Sequence, residues 1–296
     1  MFDRFFGLPG PAIRCPGGTW YYRNGITYVS VETQERDYVI TPKARSNRWL
    51  SALRILRMLW GTARVVPPYY IGQFRYKTEQ ERIDLLYSGT RDWLAAMARA
   101  IGIDVTVEGA PPARGSFIAP NHITYADICV LPVASRMWFV SKADVLRWPL
   151  FGWLFRFSRN LTVDRNDRRC LAATNESIAR RIQDGYNVCV FLEGTTSGGT
   201  ALLPFRAPLL QPALDAGVDI VPVCITWRAD DPAIDPEQDI AYWRGTPMGP
   251  HVLRFLGFKG IRCTIRFGAP IKAEGDRKGL AERVHDAVLD MHEAEE

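Results

Sequence analysis

Residues 117–127 read FIAPNHITYAD: a short apolar run into Pro120, then Asn121, His122 and, five positions after the histidine, Asp127. An apolar strand that breaks into a polar loop puts side chains at the edge of a rigid sheet, where loops carry chemistry. Five positions is not a same-face helical interval. His122 and Asp127 therefore meet only if His122 sits at or before the first turn of a helix that contains Asp127. The carboxylate would then accept the Nδ1 proton and leave Nε2 as a base. Taken alone the pair is common, and a helix-capping or core histidine accounts for it equally well.

A second apolar run, NVCVFLEGTTSGG at 187–199, also ends in a polar loop, carrying Glu193, Gly194, Thr195 and Thr196. Such a strand end offers a carboxylate, hydroxyls and flexible backbone N–H groups. A plain strand-to-turn transition explains the glycines just as well, so the signal lies in two such strand ends together. Between them NLTVDR, residues 160–165, ends in Arg165 and is followed by Asn166, Asp167, Arg168 and Arg169. A guanidinium there can hold a phosphate bidentately, with surface ion pairing as the alternative reading.

Further strand-like runs are DVTVEG at 104–109, MWFVSK at 137–142, DIVPVCITW at 219–227 and CTIRFGAPI at 263–271, with helical patterns over 170–183, near 209–216 and over 279–291. Interleaved strands and helices predict an α/β fold with a mostly parallel central sheet flanked by helices. Upstream, residues 19–40 place Asn24 and Gly25 between two β-like runs, predicting an N-terminal β-hairpin. Residues 46–66 form an amphipathic helix that Pro67 and Pro68 are expected to stop. In that wheel Trp49, Ala52, Leu53, Ile55, Leu56, Leu59, Trp60 and Ala63 share one side, and Arg54, Arg57 and Arg64 the other. Residues 79–101 read as a helix interrupted near Ser88 and Gly89 and ended by Gly102. The chain thus divides into a β-rich extension (1–45), a helical membrane-docking region (46–101) and a catalytic domain (102–296).

With 296 residues, 47% of them hydrophobic, the chain can bury a large core. A mean hydropathy of -0.12 and the lack of a run of about twenty apolar residues predict no spanning helix. The first residues lack a secretory pattern, so a cytoplasmic location is expected. Cys15, Cys129, Cys170, Cys189, Cys224 and Cys263 form no C-x-x-C pair and read as reduced core thiols, with no metal site. The formal net charge of +5 suits phosphate-bearing partners. No zinc-finger spacing or RNA-recognition signature accompanies it, so no nucleic-acid partner is expected. Between Asp37 and Glu79 every charged residue is basic, which fits a helix lying on an anionic membrane surface, and an amphipathic helix packed on the domain core is the alternative reading. His251, His285 and His292 lie outside the motifs and read as structural or surface residues.

Together the motifs resemble those of the glycerolipid and lysophospholipid acyltransferase family. Asn121-His122 with Asp127 looks like its first motif, Val163-Asp164-Arg165 its second, Phe191-Leu192-Glu193-Gly194-Thr195 its third and Ile220-Val221-Pro222-Val223 its fourth. Lys142 is similar to the family's lysine between the first two, and RFGAPI to its closing strand. The resemblance covers roughly residues 104–271. It implies transfer of a fatty-acyl chain from acyl-CoA or acyl-carrier protein, as co-substrate, to the hydroxyl of a lysophospholipid such as lysophosphatidate, without a cofactor. It implies His122 as base, Asp127 as its orienting partner, Lys142 near the developing oxyanion and Arg165 on the acceptor phosphate. Asn121, Glu193, Gly194, Thr195 and Thr196 would complete substrate binding, and the enzyme would lie peripherally on the cytoplasmic face of the inner membrane. Two positions depart from the pattern: Leu192 replaces a proline, and Thr196 stands where many phosphatidate-forming members carry an arginine. Gly-Thr-Thr resembles acyltransferases of lyso-ornithine lipid, which makes that aminolipid the alternative acceptor. A thioesterase or lipid hydrolase, and a non-catalytic lipid-binding scaffold, are the remaining alternatives; the hydrolase lacks a G-x-S-x-G elbow of its own.

Overall fold

The computed structural model describes residues 13–14, 19–21, 27–29, 43–142, 160–163 and 168–294. It comprises two compact units, Met1–Thr41 and Pro42–Glu296. In the first, β1 (Ile13–Arg14), β2 (Thr19–Tyr21) and β3 (Thr27–Val29) form an antiparallel sheet in which Thr19 pairs with Val29 and Tyr21 with Thr27. Residues 24 and 25, the expected turn, lie outside the described residues.

The second unit begins with two long helices, α1 (Arg48–Gly72) and α2 (Glu79–Ile101). Both correct the sequence reading. Pro67 and Pro68 do not stop α1 but lie inside it. Missing N–H groups cost a free helix its ladder, yet here α1 is held along α2: the Trp93 indole donates to the Thr62 hydroxyl at 3.0 Å, and the Tyr69 hydroxyl to Asp92. Gly89 does not interrupt α2. A Cβ at Gly89 would come within 2.7 Å of the Tyr69 ring, so the glycine lets α1 pack close. Arg54 does not join the other arginines. It is 6% exposed and donates to the carbonyls of Leu256 and Phe258.

The chain then runs through β4 (Ile103–Glu108), β5 (Phe117–Pro120), α3 (Asp127–Ala134), β6 (Trp138–Lys142), β7 (Leu161–Val163), α4 (Arg168–Gln183) and β8 (Val188–Cys189). A 3-10 turn (Ala207–Leu210) leads into α5 (Gln211–Ala216), β9 (Ile220–Ala229), α6 (Met248–Phe255), β10 (Ile261–Phe267) and α7 (Arg277–Glu293). The sheet order is β4-β10-β9-β5-β8-β6-β7, and every neighbouring pair is parallel except β9 with β10. The mostly parallel sheet flanked by helices is the fold expected.

Period-two alternation sorts each strand between two layers. Val221, Val223, Ile225 and Trp227 of β9 pack with Val130 and Leu131 of α3 and Phe255 of α6. Phe117, Ala119, Val188 and Ile220 face the other way, against Ile178 of α4 and Leu280 and Val284 of α7. β5 is buried along its whole length, as a central strand covered on both faces must be. Its neighbour β9 runs further: Pro120 pairs with Val223, and β9 continues beside β10 to Ala229. A step opens in the sheet where β5 ends, and the candidate site occupies it.

Candidate active site

Asn121 fills the step first. Its side-chain amide donates to the Ile225 carbonyl at 2.9 Å and its oxygen accepts from the Ile225 N–H at 2.7 Å, so a side chain continues the ladder that Pro120 ends. With 2% of its surface exposed, Asn121 anchors the loop to β9.

The loop next turns into α3, whose first residue is Asp127. His122 therefore precedes the helix, as the five-residue interval requires, and its Nδ1 lies 2.8 Å from Asp127 Oδ2. The same oxygen accepts from the N–H groups of Ile123 at 2.7 Å and Thr124 at 3.0 Å, and Oδ1 accepts from the Trp227 indole at 2.8 Å. Four N–H donors thus saturate a carboxylate with no solvent exposure. Because a carboxylate only accepts, Nδ1 carries the ring proton and Nε2 is left as the basic nitrogen. The imidazole stacks on Phe191, with centroids 3.9 Å apart and planes at 20°. Trp227 escaped the motif reading. Its one signal was an aromatic residue with a polar tip at the end of an inward-facing strand pattern.

β8 lies beside β5, so the two polar loops leave the same edge of the sheet, the edge at which α/β folds bind ligands. Glu193 ties them together: Oε1 accepts from the His122 N–H at 2.6 Å and Oε2 from the Leu203 N–H at 3.1 Å. Burial pushes its carboxyl up to about 8; the two backbone donors pull the other way, and the neighbouring Asp127 charge adds to the rise. At 2% exposure, Glu193 braces the backbone of His122. Ser197 N–H donates to the His122 carbonyl at 2.8 Å, closing a second bond between the loops. Gly194 has φ +77° and its N–H donates to Phe191, a left-handed turn that suits glycine. Thr195 is exposed at the rim, and the Thr196 hydroxyl donates to the Tyr242 carbonyl.

Lys142 is the last residue of β6, the strand on the far side of β8, and its side chain lies outside the described residues. Arg165 also lies outside them, two positions after the end of β7 at Val163. Cys189, Cys224 and Cys263 are buried and Cys129 is half-buried.

A strand-end imidazole oriented by a buried carboxylate, beside a loop whose Thr195 is exposed, can take a proton from a hydroxyl brought to Nε2. The chain belongs to the acyltransferase family, whose model, described as Acyltransferase, matches residues 103–226. It is 33% identical to the lyso-ornithine lipid O-acyltransferase of Pseudomonas aeruginosa over 67% of this chain and 76% of that one. The Rhodobacter capsulatus protein of the same description is 30% identical over 69% and 78%. The 1-acyl-sn-glycerol-3-phosphate acyltransferase of Neisseria gonorrhoeae is 32% identical over 45% and 52%. The fold is similar to the crystal structure of the 1-acyl-sn-glycerophosphate acyltransferase from Thermotoga maritima, with TM-score 0.61 and 19% identity across 83% of this chain and 97% of that one.

Proposed function

We propose that this enzyme transfers a fatty-acyl chain from acyl-CoA or acyl-carrier protein to the hydroxyl of a lysolipid at a bilayer surface, with His122 as the base. The observation that carries this reading is the 2.8 Å contact between His122 Nδ1 and the fully buried, saturated Asp127. As the acceptor oxygen attacks the thioester carbon, Nε2 takes the hydroxyl proton. Collapse of the tetrahedral adduct expels the thiolate, which recovers that proton from the imidazolium, giving an ester lipid and a free thiol. Resemblance to the family supports Lys142 beside the oxyanion and Arg165 on the acceptor head group. The geometry of Asn121 and Glu193 favours bracing of the loops over contact with substrate, while Gly194 and Thr195 lie at the accessible rim.

The acceptor we favour is lyso-ornithine lipid. The relatives so described span about two thirds of this chain, against 45% for the Neisseria relative described by a phosphate-bearing acceptor. Thr196, in place of the arginine of many phosphatidate-forming members, spends its hydroxyl on the Tyr242 main chain. Acyl transfer should be measured from labelled acyl-CoA and acyl-carrier protein to lyso-ornithine lipid and to lysophosphatidate in parallel. Higher kcat/KM on the aminolipid is expected. The reverse order would assign a phosphatidate-forming enzyme, free fatty acid alone a hydrolase, and no product with a folded, vesicle-bound protein a non-catalytic scaffold.

No helix among the described residues is long and apolar enough to cross a membrane. α1 instead offers a surface that suits docking on the cytoplasmic face. Trp49, Leu53, Leu56 and Trp60 are 87%, 45%, 64% and 69% exposed along one helical stripe, which Ile71 and Phe74 extend. Arg57 and Arg64 are exposed, whereas Ile55 and Met58 turn inward onto the core. Burying such side chains in lipid is worth about 1.5–3 kcal/mol each, and an arginine near an anionic surface ~1 kcal/mol. Trp49→Ser with Trp60→Ser is therefore expected to lower partition onto anionic vesicles at least ~10-fold without lowering the melting temperature. Reversing Arg57 and Arg64 to Glu should weaken it most at low salt, and Arg54, being buried, is left out of that set. Undiminished vesicle binding by both variants would move the docking surface elsewhere.

A further inference from the structure

We infer that His251 is a positioning residue that holds both catalytic loops in register. It lies on α6, outside every motif, and is 3% exposed. Its Nε2 is 3.0 Å from the Ala241 carbonyl, which can only accept, so Nε2 carries the proton and Nδ1 accepts from the Tyr125 hydroxyl at 3.2 Å. Each partner leads to the site. Tyr125 belongs to the loop between His122 and Asp127. Ala241 precedes Tyr242, whose N–H donates to the Ile123 carbonyl at 3.0 Å and whose carbonyl accepts from Thr196.

One imidazole thus grips the His122 loop through Tyr125 and, through the 241–242 main chain, the His122 and Glu193 loops together. The grip is close-packed: the rings of Tyr125 and Tyr242 stand 5.7 Å and 5.5 Å from the imidazole at steep angles, and 5.5 Å from each other. Burial lowers the His251 pKa and Arg254 lowers it further, while the Ala241 carbonyl and Asp239 oppose them, so the ring keeps Nδ1 as an acceptor. Ile123 and Thr124 supply two of the four donors to Asp127. A shift of this segment moves the carboxylate that aims the base, and misplacements of about 1 Å can cost ~10²-fold in rate.

The inference rests on the reading of His122 as the base, and the experiment separates the two. Acyl transfer by the full chain is measured for the wild type, His122→Ala, His251→Gln, His251→Asn, His251→Leu and Tyr125→Phe, each with its melting temperature. No transfer by the wild type, or none lost in His122→Ala, sinks the base reading and this inference with it. With the base established, His251→Leu and His251→Asn are expected to lower kcat ~10-fold or more while KM for donor and acceptor stays within about two-fold. His251→Gln, whose amide N–H reaches the Ala241 carbonyl as Nε2 does, should recover kcat to within ~3-fold. Retention of at least half of kcat by the Leu and Asn variants, or an equal loss in the Gln variant, overturns the role of His251 alone. Should the Leu and Asn variants not fold, Tyr125→Phe decides: a ~3–10-fold lower kcat at an unchanged melting temperature supports the inference, and wild-type kcat overturns it.

Discussion

Replacing His122 with alanine is expected to lower kcat for acyl transfer by about 10²–10⁴, the usual share of a positioned general base. The bonds that shape the site should survive the change, because Glu193 and Ser197 reach the N–H and carbonyl of His122, not its ring. KM and melting temperature should therefore move little, and Asp127 keeps three of its four donors. Single-turnover transfer from a labelled acyl thioester, with circular dichroism on the same sample, reads the outcome. A rate within ~3-fold of wild type would remove His122 from the chemistry.

Asp127→Asn is expected to lose both rate and stability. Every contact of the carboxylate is with an N–H donor. An asparagine must therefore turn its own NH₂ toward Trp227, or toward His122 and the Ile123 and Thr124 amides. Facing the tryptophan sets donor against donor in a fully buried place, at a cost of about 1–3 kcal/mol. Facing His122 reverses the ring tautomer and puts the proton on Nε2, where the acceptor hydroxyl needs a base; in triad enzymes that error costs on the order of 10⁴ in kcat. In either orientation the imidazolium loses its counter-charge. We expect kcat to fall by ~10²–10⁴ and the urea midpoint to drop. Adding Trp227→Phe should recover part of the stability, by removing one stranded donor, without restoring the rate. Recovery of both would mean that Asp127 serves the fold and not the reaction.

Legibility in the sequence followed the range of the interaction. The interval between His122 and Asp127 could be read because both sit on one short loop whose geometry a helix start dictates. The two polar strand ends could be read because an apolar run broken by Pro120 or Gly194 is a local signal. Readings failed where a second element intervened. Pro67 and Pro68 read as a stop until α2 held α1 together, and Gly89 read as a break until Tyr69 came to lie on it. Arg54 matched its neighbouring arginines on a helical wheel, yet it caps the carbonyls of Leu256 and Phe258, two hundred positions away in the chain. The bonds of Asn121 to β9 and of Glu193 to the His122 and Leu203 amides also lay beyond the reach of local pattern.

By itself, then, the sequence determined the alternation of strands and helices, the mostly parallel sheet it implies and the meeting of His122 with Asp127 at a helix start, because period, turn chemistry and short loops act within a few residues. Only the tertiary structure decided that Trp227 completes the Asp127 site, that Glu193 bridges two loops, and that His251 ties Tyr125 to the 241–242 segment. The Trp227–Asp127, Glu193–His122 and His251–Tyr125 contacts join residues 71 to 126 positions apart in the chain, and their worth comes from burial: a donor or acceptor withdrawn from water must find its partner wherever the packed core places one.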